Sequence, residues 1–220
     1  LVNLWGFGPD EMTFTTPDEA IIKDRLNQIG YQRLKLKDDG LFVKKDIPNL
    51  YVDLSGIAKG YGVDQVASLL ERLGIMDYMV EIGGEMMVKG FKADGKPWRV
   101  GIESPNPLNR SLYKAITLKK PEAKAVMTAG TYRNFFDENG QSYSHILNPK
   151  TGWPVTHHLR SVTVVHNDPS WADAWDTALL CMGEEAAIKT AEQEKLNVFF
   201  VYEVNSKLKE YTSKSFSNTL

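Results

Sequence analysis

The stretch Tyr51-Val52-Asp53-Leu54-Ser55-Gly56-Ile57-Ala58-Lys59-Gly60-Tyr61-Gly62-Val63-Asp64 is the one around which the rest of the chain is organised. Apolar and β-branched residues run up to Asp53, glycines follow at 56, 60 and 62, and an amphipathic pattern begins at Val63. Val63, Val66, Ala67, Leu70 and Leu73 recur at three- and four-residue steps and so line one helical face, with Gly74 placed to end it. The pattern reads as strand, glycine turn, helix. The first turn of a helix presents unpaired N–H groups and a partial positive charge, and glycines let an anion approach that backbone closely. With Lys59 adding a full charge, the stretch suits a phosphate-bearing ligand. A glycine turn that lets a strand and a helix pack is the other reading. The spacing is neither the Rossmann G-x-G-x-x-G nor the Walker G-x-x-x-x-G-K-[ST], so a second site has to decide.

At 220 residues one generous core can form, and a single domain over 1–220 is expected. With 42% hydrophobic and 25% charged residues, the composition is that of an ordinary folded domain. The net charge of −2, with acidic and basic residues interspersed, gives no footprint for nucleic acid. The lone Cys181 cannot form an internal disulfide and reads as a small buried hydrophobe. No apolar run reaches the length of a membrane span and no signal peptide is visible. Leu1 leads straight into the patterned segment Val2-Asn3-Leu4-Trp5-Gly6-Phe7, so a mature or partial chain is expected.

Thr16-Pro17-Asp18-Glu19 reads as a helix start, with Thr16 as cap and proline in the first turn. Strands are expected at 31–36 and 41–45, joined by Asp38-Asp39-Gly40, and at 78–82 and 86–89 around Gly83-Gly84, which reads as a turn, with a bulge beside a ligand as the other reading. Further strands are expected at 98–103, 113–118, 124–128, 132–136, 143–147 and 161–166, then helices over 171–182 and 184–194 and a closing hairpin. Many antiparallel pairs with a few packed helices make the class α+β.

The second site is Ala172-Asp173-Ala174-Trp175-Asp176-Thr177. Asp173 and Thr177 are four apart on a helix and Asp176 is three from Asp173, so carboxylates and a hydroxyl share one face, a donor set that suits Mg²⁺. The competing reading makes Ser170 the helix cap and Asp173 its capping-box partner. His145, in Tyr143-Ser144-His145-Ile146-Leu147-Asn148-Pro149, stands at a strand end before a tight loop and can serve as a base near neutral pH. Half-burial at a strand end explains it equally well. His157 and His158 read as exposed loop residues. No serine-hydrolase elbow is present, because Asp53-Leu54-Ser55-Gly56 lacks the glycine two before the serine.

Five ordered motifs together resemble the ApbE family, the FAD:protein FMN transferases. They are Val52 to Tyr61, Glu81-Ile82-Gly83-Gly84-Glu85, Thr128-Ala129-Gly130-Thr131-Tyr132-Arg133-Asn134, Ser144 to Gly152, and Ala172 to Thr177. The resemblance implies an ApbE-like, T-fold-related arrangement of mostly antiparallel sheets with packed helices. It implies a periplasmic, inner-membrane lipoprotein that uses Mg²⁺ and FAD. Such an enzyme moves FMN onto a threonine or serine hydroxyl of a target flavoprotein, such as a subunit of sodium-translocating NADH:quinone oxidoreductase, and releases AMP.

By motif match, Asp53, Lys59 and the backbone of Leu147 would contact FAD. The carbonyl of Gly56 with Asp173, Asp176 and Thr177 would hold the metal, and His145 would be the catalytic group. Relatives carry a segment before the point matching Leu1, with the lipid anchor and further flavin contacts, and Asn148 stands where many have aspartate. A Mg²⁺-dependent FAD pyrophosphatase and a non-catalytic FAD-binding module are the alternatives.

Overall fold

The computed structural model describes residues 1–9, 14–37 and 40–216. In chain order these form α1 (Glu19–Leu26), β1 (Leu34–Leu36), β2 (Val43–Lys45), α2 (Ser55–Arg72), β3 (Tyr78–Ile82) and β4 (Glu85–Lys89). There follow β5 (Trp98–Glu103), β6 (Leu112–Leu118), β7 (Lys124–Gly130), β8 (Phe135–Glu138) and β9 (Gln141–Ser144). The chain continues with β10 (Leu159–His166), α3 (Pro169–Met182), α4 (Glu184–Gln193), β11 (Asn197–Val204) and β12 (Lys207–Thr212). Helices and antiparallel pairs give the expected α+β class. Two compact units divide them: Leu1–Asp53 with Asn134–Thr156, and Leu54–Arg133 with His157–Leu220.

The first unit is built on aromatic packing. Trp5, Ile22 and Phe136 are buried together, with Phe7, Tyr143 and Trp153 against them, and the Trp5 indole N–H donates to the Gly152 carbonyl at 2.8 Å. The expected cap at Thr16 is not used. Asp18 caps α1 by accepting the Ala20 N–H at 2.8 Å, while the Thr16 backbone and hydroxyl both turn to Glu138. One residue after proline, aspartate can reach the first-turn N–H groups that Thr16 cannot. The β1–β2 hairpin is shorter than its apolar pattern suggests, since Tyr31–Arg33 coil into a 3₁₀ turn, and Asp38 and Asp39 lie outside the described residues. Strand β9 ends at Ser144, just before His145.

In the second unit a six-stranded sheet runs β12-β11-β10-β7-β4-β3, antiparallel throughout. On one face the β5–β6 hairpin supplies Val100, Ile102, Ile116 and Leu118 to a core with Val88, Val126, Val165 and Phe199. Side chains alternate across a sheet, so Met87, Met127, Val162 and Val164 point to the other face, where α2 lies against β3 and β4 and α3 against β7 and β10. Gly83 and Gly84 close β3 to β4 in two residues, with φ of 60° and 99°, so they make the expected turn.

The opening stretch differs from its reading as strand, turn and helix. No strand forms at 51–53, and α2 starts at Ser55, so Gly56, Gly60 and Gly62 lie inside the helix. Gly60 explains why tertiary packing overrides its weak helix propensity. A Cβ there would sit 2.4 Å from the Pro169 carbonyl oxygen and 2.8 Å from Asp173 Cβ, so its absence lets α2 and α3 meet backbone to backbone.

Helix α3 is capped by Asp168, which accepts the Trp171 N–H at 2.9 Å, and not by Ser170. His157, expected on an exposed loop, is half-buried. Its Nε2–H donates to the Leu180 carbonyl at 2.7 Å, and burial pulls its pKa down. Cys181, expected to be buried, is half-buried, and burial pushes its thiol up to about 11.

Gly60→Ala should gain about 1 kcal/mol of helix propensity and lose more to overpacking, for a net loss of about 1–2 kcal/mol and a fall in melting temperature of about 2–8 °C. Gly56→Ala meets nothing closer than Thr177 Cγ2 at 3.4 Å and should melt at or slightly above wild type. Thermal unfolding followed by circular dichroism compares the two, and equal melting points for both variants would refute the close helix contact as the reason for Gly60.

Candidate active site

Helices α2 and α3 and strand β4 converge in the second unit on a group of buried charges. The Gly60 N–H, which a regular helix would point at the Gly56 carbonyl, donates to Asp173 Oδ2 at 2.8 Å. Gly56 faces Thr177 across the same crossing. Asp176, one turn beyond Asp173, accepts the Thr177 hydroxyl on Oδ1 at 3.1 Å, while its Oδ2 is buried without a hydrogen-bond partner.

Glu85 enters from the first position of β4. One of its oxygens is paired with the Lys59 ammonium and the other accepts the Thr128 N–H at 2.8 Å. Glu85, Asp173 and Asp176 are 2%, 2% and 1% exposed, and one ligand atom from each lies within 4.8 Å of the others. Three carboxylates against one ammonium leave two negative charges, matching a divalent cation.

Without a cation those charges are resisted. Burial holds the Asp176 carboxyl well above the ordinary carboxylate range, and the charges of Glu85 and Asp173 push it the same way. Asp173 and Glu85 are raised by burial too, though the Gly60 N–H works against the rise in Asp173 and Lys59 against the rise in Glu85. Burial pulls Lys59 down, but Glu85, Asp173 and Asp176 outweigh it and its pKa is raised. A buried carboxylate oxygen with no donor is costly unless a cation meets it, and oxygen donors of this kind fit a small hard ion.

Of the residues singled out from sequence, Gly56, Lys59, Asp173, Asp176 and Thr177 are brought together here. The capping-box reading of Asp173 falls away, because Asp168 does the capping and Asp173 bonds α2 instead. Glu85 was not recognised as a site residue. Its signal was an acid two residues before Met87, on the same side of a strand whose three middle residues are apolar.

Asp53, His145 and Leu147 belong to the first unit. Asp53 is exposed and lines a cavity of about 430 Å³ with Asn3, Arg25, Asn49 and Tyr51. His145 Nδ1–H donates to the Asn134 carbonyl at 2.9 Å, which puts the basic lone pair on Nε2, and the ring meets Phe7 edge-on. Leu147 forms a β-bridge with Pro154 and packs on the Trp5 core.

The ApbE family profile matches residues 1–200. The FAD:protein FMN transferase of Vibrio cholerae is 44% identical over 216 residues, covering 98% of this chain and 63% of that protein. That of Klebsiella pneumoniae is 37% identical over 222 residues, covering 100% and 63%. The chain thus spans 63% of the length of these relatives. Among solved structures, the flavin transferase ApbE from Vibrio cholerae superposes with a TM-score of 0.87 at 42% identity, over 100% of this chain and 68% of that one. The ApbE protein of Thermotoga maritima gives 0.85 at 28% identity, over 99% and 69%.

Because the folded chain binds more protons at Asp176 than the unfolded chain does, the metal-free protein should lose stability as pH rises from the ordinary carboxylate pKa through the raised one. Asp176→Asn keeps the shape and removes the charge. Its metal-free melting temperature should exceed that of wild type at about pH 7, with the gain shrinking towards about pH 4, while stabilisation by added Mg²⁺ is lost. A variant no more stable than wild type at neutral pH would count against the buried, unpaired charge.

Proposed function

The chain belongs to the ApbE family, and on that premise we propose that it moves FMN from FAD onto a threonine or serine hydroxyl of a target flavoprotein and releases AMP. The observation that carries the reading is Asp176 Oδ2, a buried carboxylate oxygen without a hydrogen-bond partner beside two further buried carboxylates. Asp173, Asp176, the Thr177 hydroxyl and the Gly56 carbonyl would hold Mg²⁺. When bound, the ion supplies charge neutralisation to the phosphate oxygens of FAD.

Cleavage of a diphosphate is mostly a matter of position and charge. Lys59 offers the substrate a second positive charge, and Asp53 with the backbone of Leu147 binds the flavin nucleotide. Because its Nδ1–H is held by the Asn134 carbonyl, His145 presents Nε2 as the base. It takes the proton of the target hydroxyl while that oxygen bonds to the FMN phosphorus and the bond from this phosphorus to the AMP oxygen breaks. The product is a phosphoester-linked flavin.

The same reading includes a periplasmic location, a lipid anchor at the inner membrane, and targets such as subunits of sodium-translocating NADH:quinone oxidoreductase. Family membership supports these. Among the described residues no helix is long and apolar enough to cross a membrane.

Mass spectrometry of such a target after incubation with this chain, FAD and Mg²⁺ should show one added FMN on a threonine or serine. Free FMN and AMP with no flavin on the protein would instead mark a pyrophosphatase, and FAD intact after hours a binding module. Asp173→Ala should lower transfer by about a hundredfold or more. In His145→Ala, FAD binding should persist while transfer falls by about a hundredfold to ten-thousandfold, and unchanged turnover would remove the base from this scheme.

A further inference from the structure

A carboxylate at the first position of β4 has no packing reason to be there. The position faces the helices, Met87 follows it on the same side, and Glu85 is 2% exposed. Both of its oxygens are engaged by elements other than α3, one by the Lys59 ammonium and the other by the Thr128 N–H, although one of them lies within 4.8 Å of a ligand atom of Asp173 and of Asp176. Asp176 contrasts with it, since its Oδ2 lacks any protein partner. Glu85 is therefore committed to α2 and β7.

Lysine is a flexible stem carrying a point charge, and holding it still costs rotamer entropy. Here the stem is held at both ends of its reach. Its Cδ passes 3.7 Å from where a Gly83 side chain would begin, so it lies over the β3–β4 turn, and its ammonium meets Glu85. The Lys59 side chain nevertheless stays 44% exposed, so a ligand can reach the charge that Glu85 anchors. The motif Glu81-Ile82-Gly83-Gly84-Glu85 thereby acquires a purpose: a two-glycine turn for the stem and a buried acid for the head.

We propose that Glu85 is a positioning residue, acting through Lys59 by fixing its ammonium for the substrate's diphosphate, and is not itself a metal ligand. This rests on the reading of the site as a diphosphate site and names the residue that preorganises it.

The test is a double-mutant cycle of Glu85→Gln and Lys59→Met in the full chain, with Glu85→Asp carried alongside. The Asp variant keeps the charge, shortens its reach and supplies the readings if Glu85→Gln does not fold. Without ligand, amine acetylation read by mass spectrometry should label Lys59 several-fold faster in Glu85→Gln than in wild type. With Mg²⁺ alone, thermal stabilisation should persist in Glu85→Gln and disappear in Asp173→Ala. With FAD, Mg²⁺ and a target, each single variant should lose about tenfold to hundredfold in kcat, and the double variant should be no worse than Lys59→Met.

An unchanged Lys59 labelling rate, or losses that multiply in the double variant, would overturn the positioning role. Loss of the Mg²⁺ response in Glu85→Gln would overturn it by making Glu85 a ligand. If wild type transfers no flavin, the proposed function fails, and the labelling and Mg²⁺ measurements still decide the role of Glu85.

Discussion

The hydrogen bond from the Gly60 N–H to Asp173 Oδ2 joins α2 to α3 at the buried carboxylate cluster, and the close crossing of the two helices is the constraint on which that cluster rests. It requires α2 and α3 to cross at a distance no side chain at position 60 would permit, so glycine is demanded by the approach and not by a turn. Once the helices are that close, Gly56 lies against Thr177, Lys59 reaches the start of β4, and three carboxylates share one buried space. A helix interior normally spends its N–H groups on its own carbonyls. Here one is given to another helix.

Such a cluster is poor design for stability alone. Buried acids repel each other and resist ionisation, and Asp176 keeps an oxygen with no protein donor. The rest of the unit carries that burden through a six-stranded sheet with apolar side chains on both faces, covered by a hairpin on one side and helices on the other. Strain of this kind collects where a ligand relieves it. The excess of carboxylates over ammonium in the cluster and its oxygen-only donor set suit a divalent cation.

Most element types could be read from the sequence because they rest on local periodicity. The pairing of β3 with β4 follows from two short apolar runs around Gly83-Gly84, and α3 from its apolar steps and the glycine that stops it. Helix caps are less legible. Thr16 and Ser170 were plausible caps by residue type, yet Asp18 and Asp168 do the work, since the choice depends on where the chain enters the helix. The start of α2 is hidden for a related reason, as glycines that look like a turn in sequence are tolerated inside a helix when a neighbour needs the room.

By itself the sequence determined the family, the α+β class and the acidic face of α3, because motif order and helical spacing are properties of the chain taken a few residues at a time. Only the tertiary structure decided that Glu85 belongs to the site and that Gly60 serves a helix crossing. Those facts depend on which way a strand residue faces and how near two helices lie, and both are set by packing between segments far apart in the chain, such as β4 with α2 and α2 with α3.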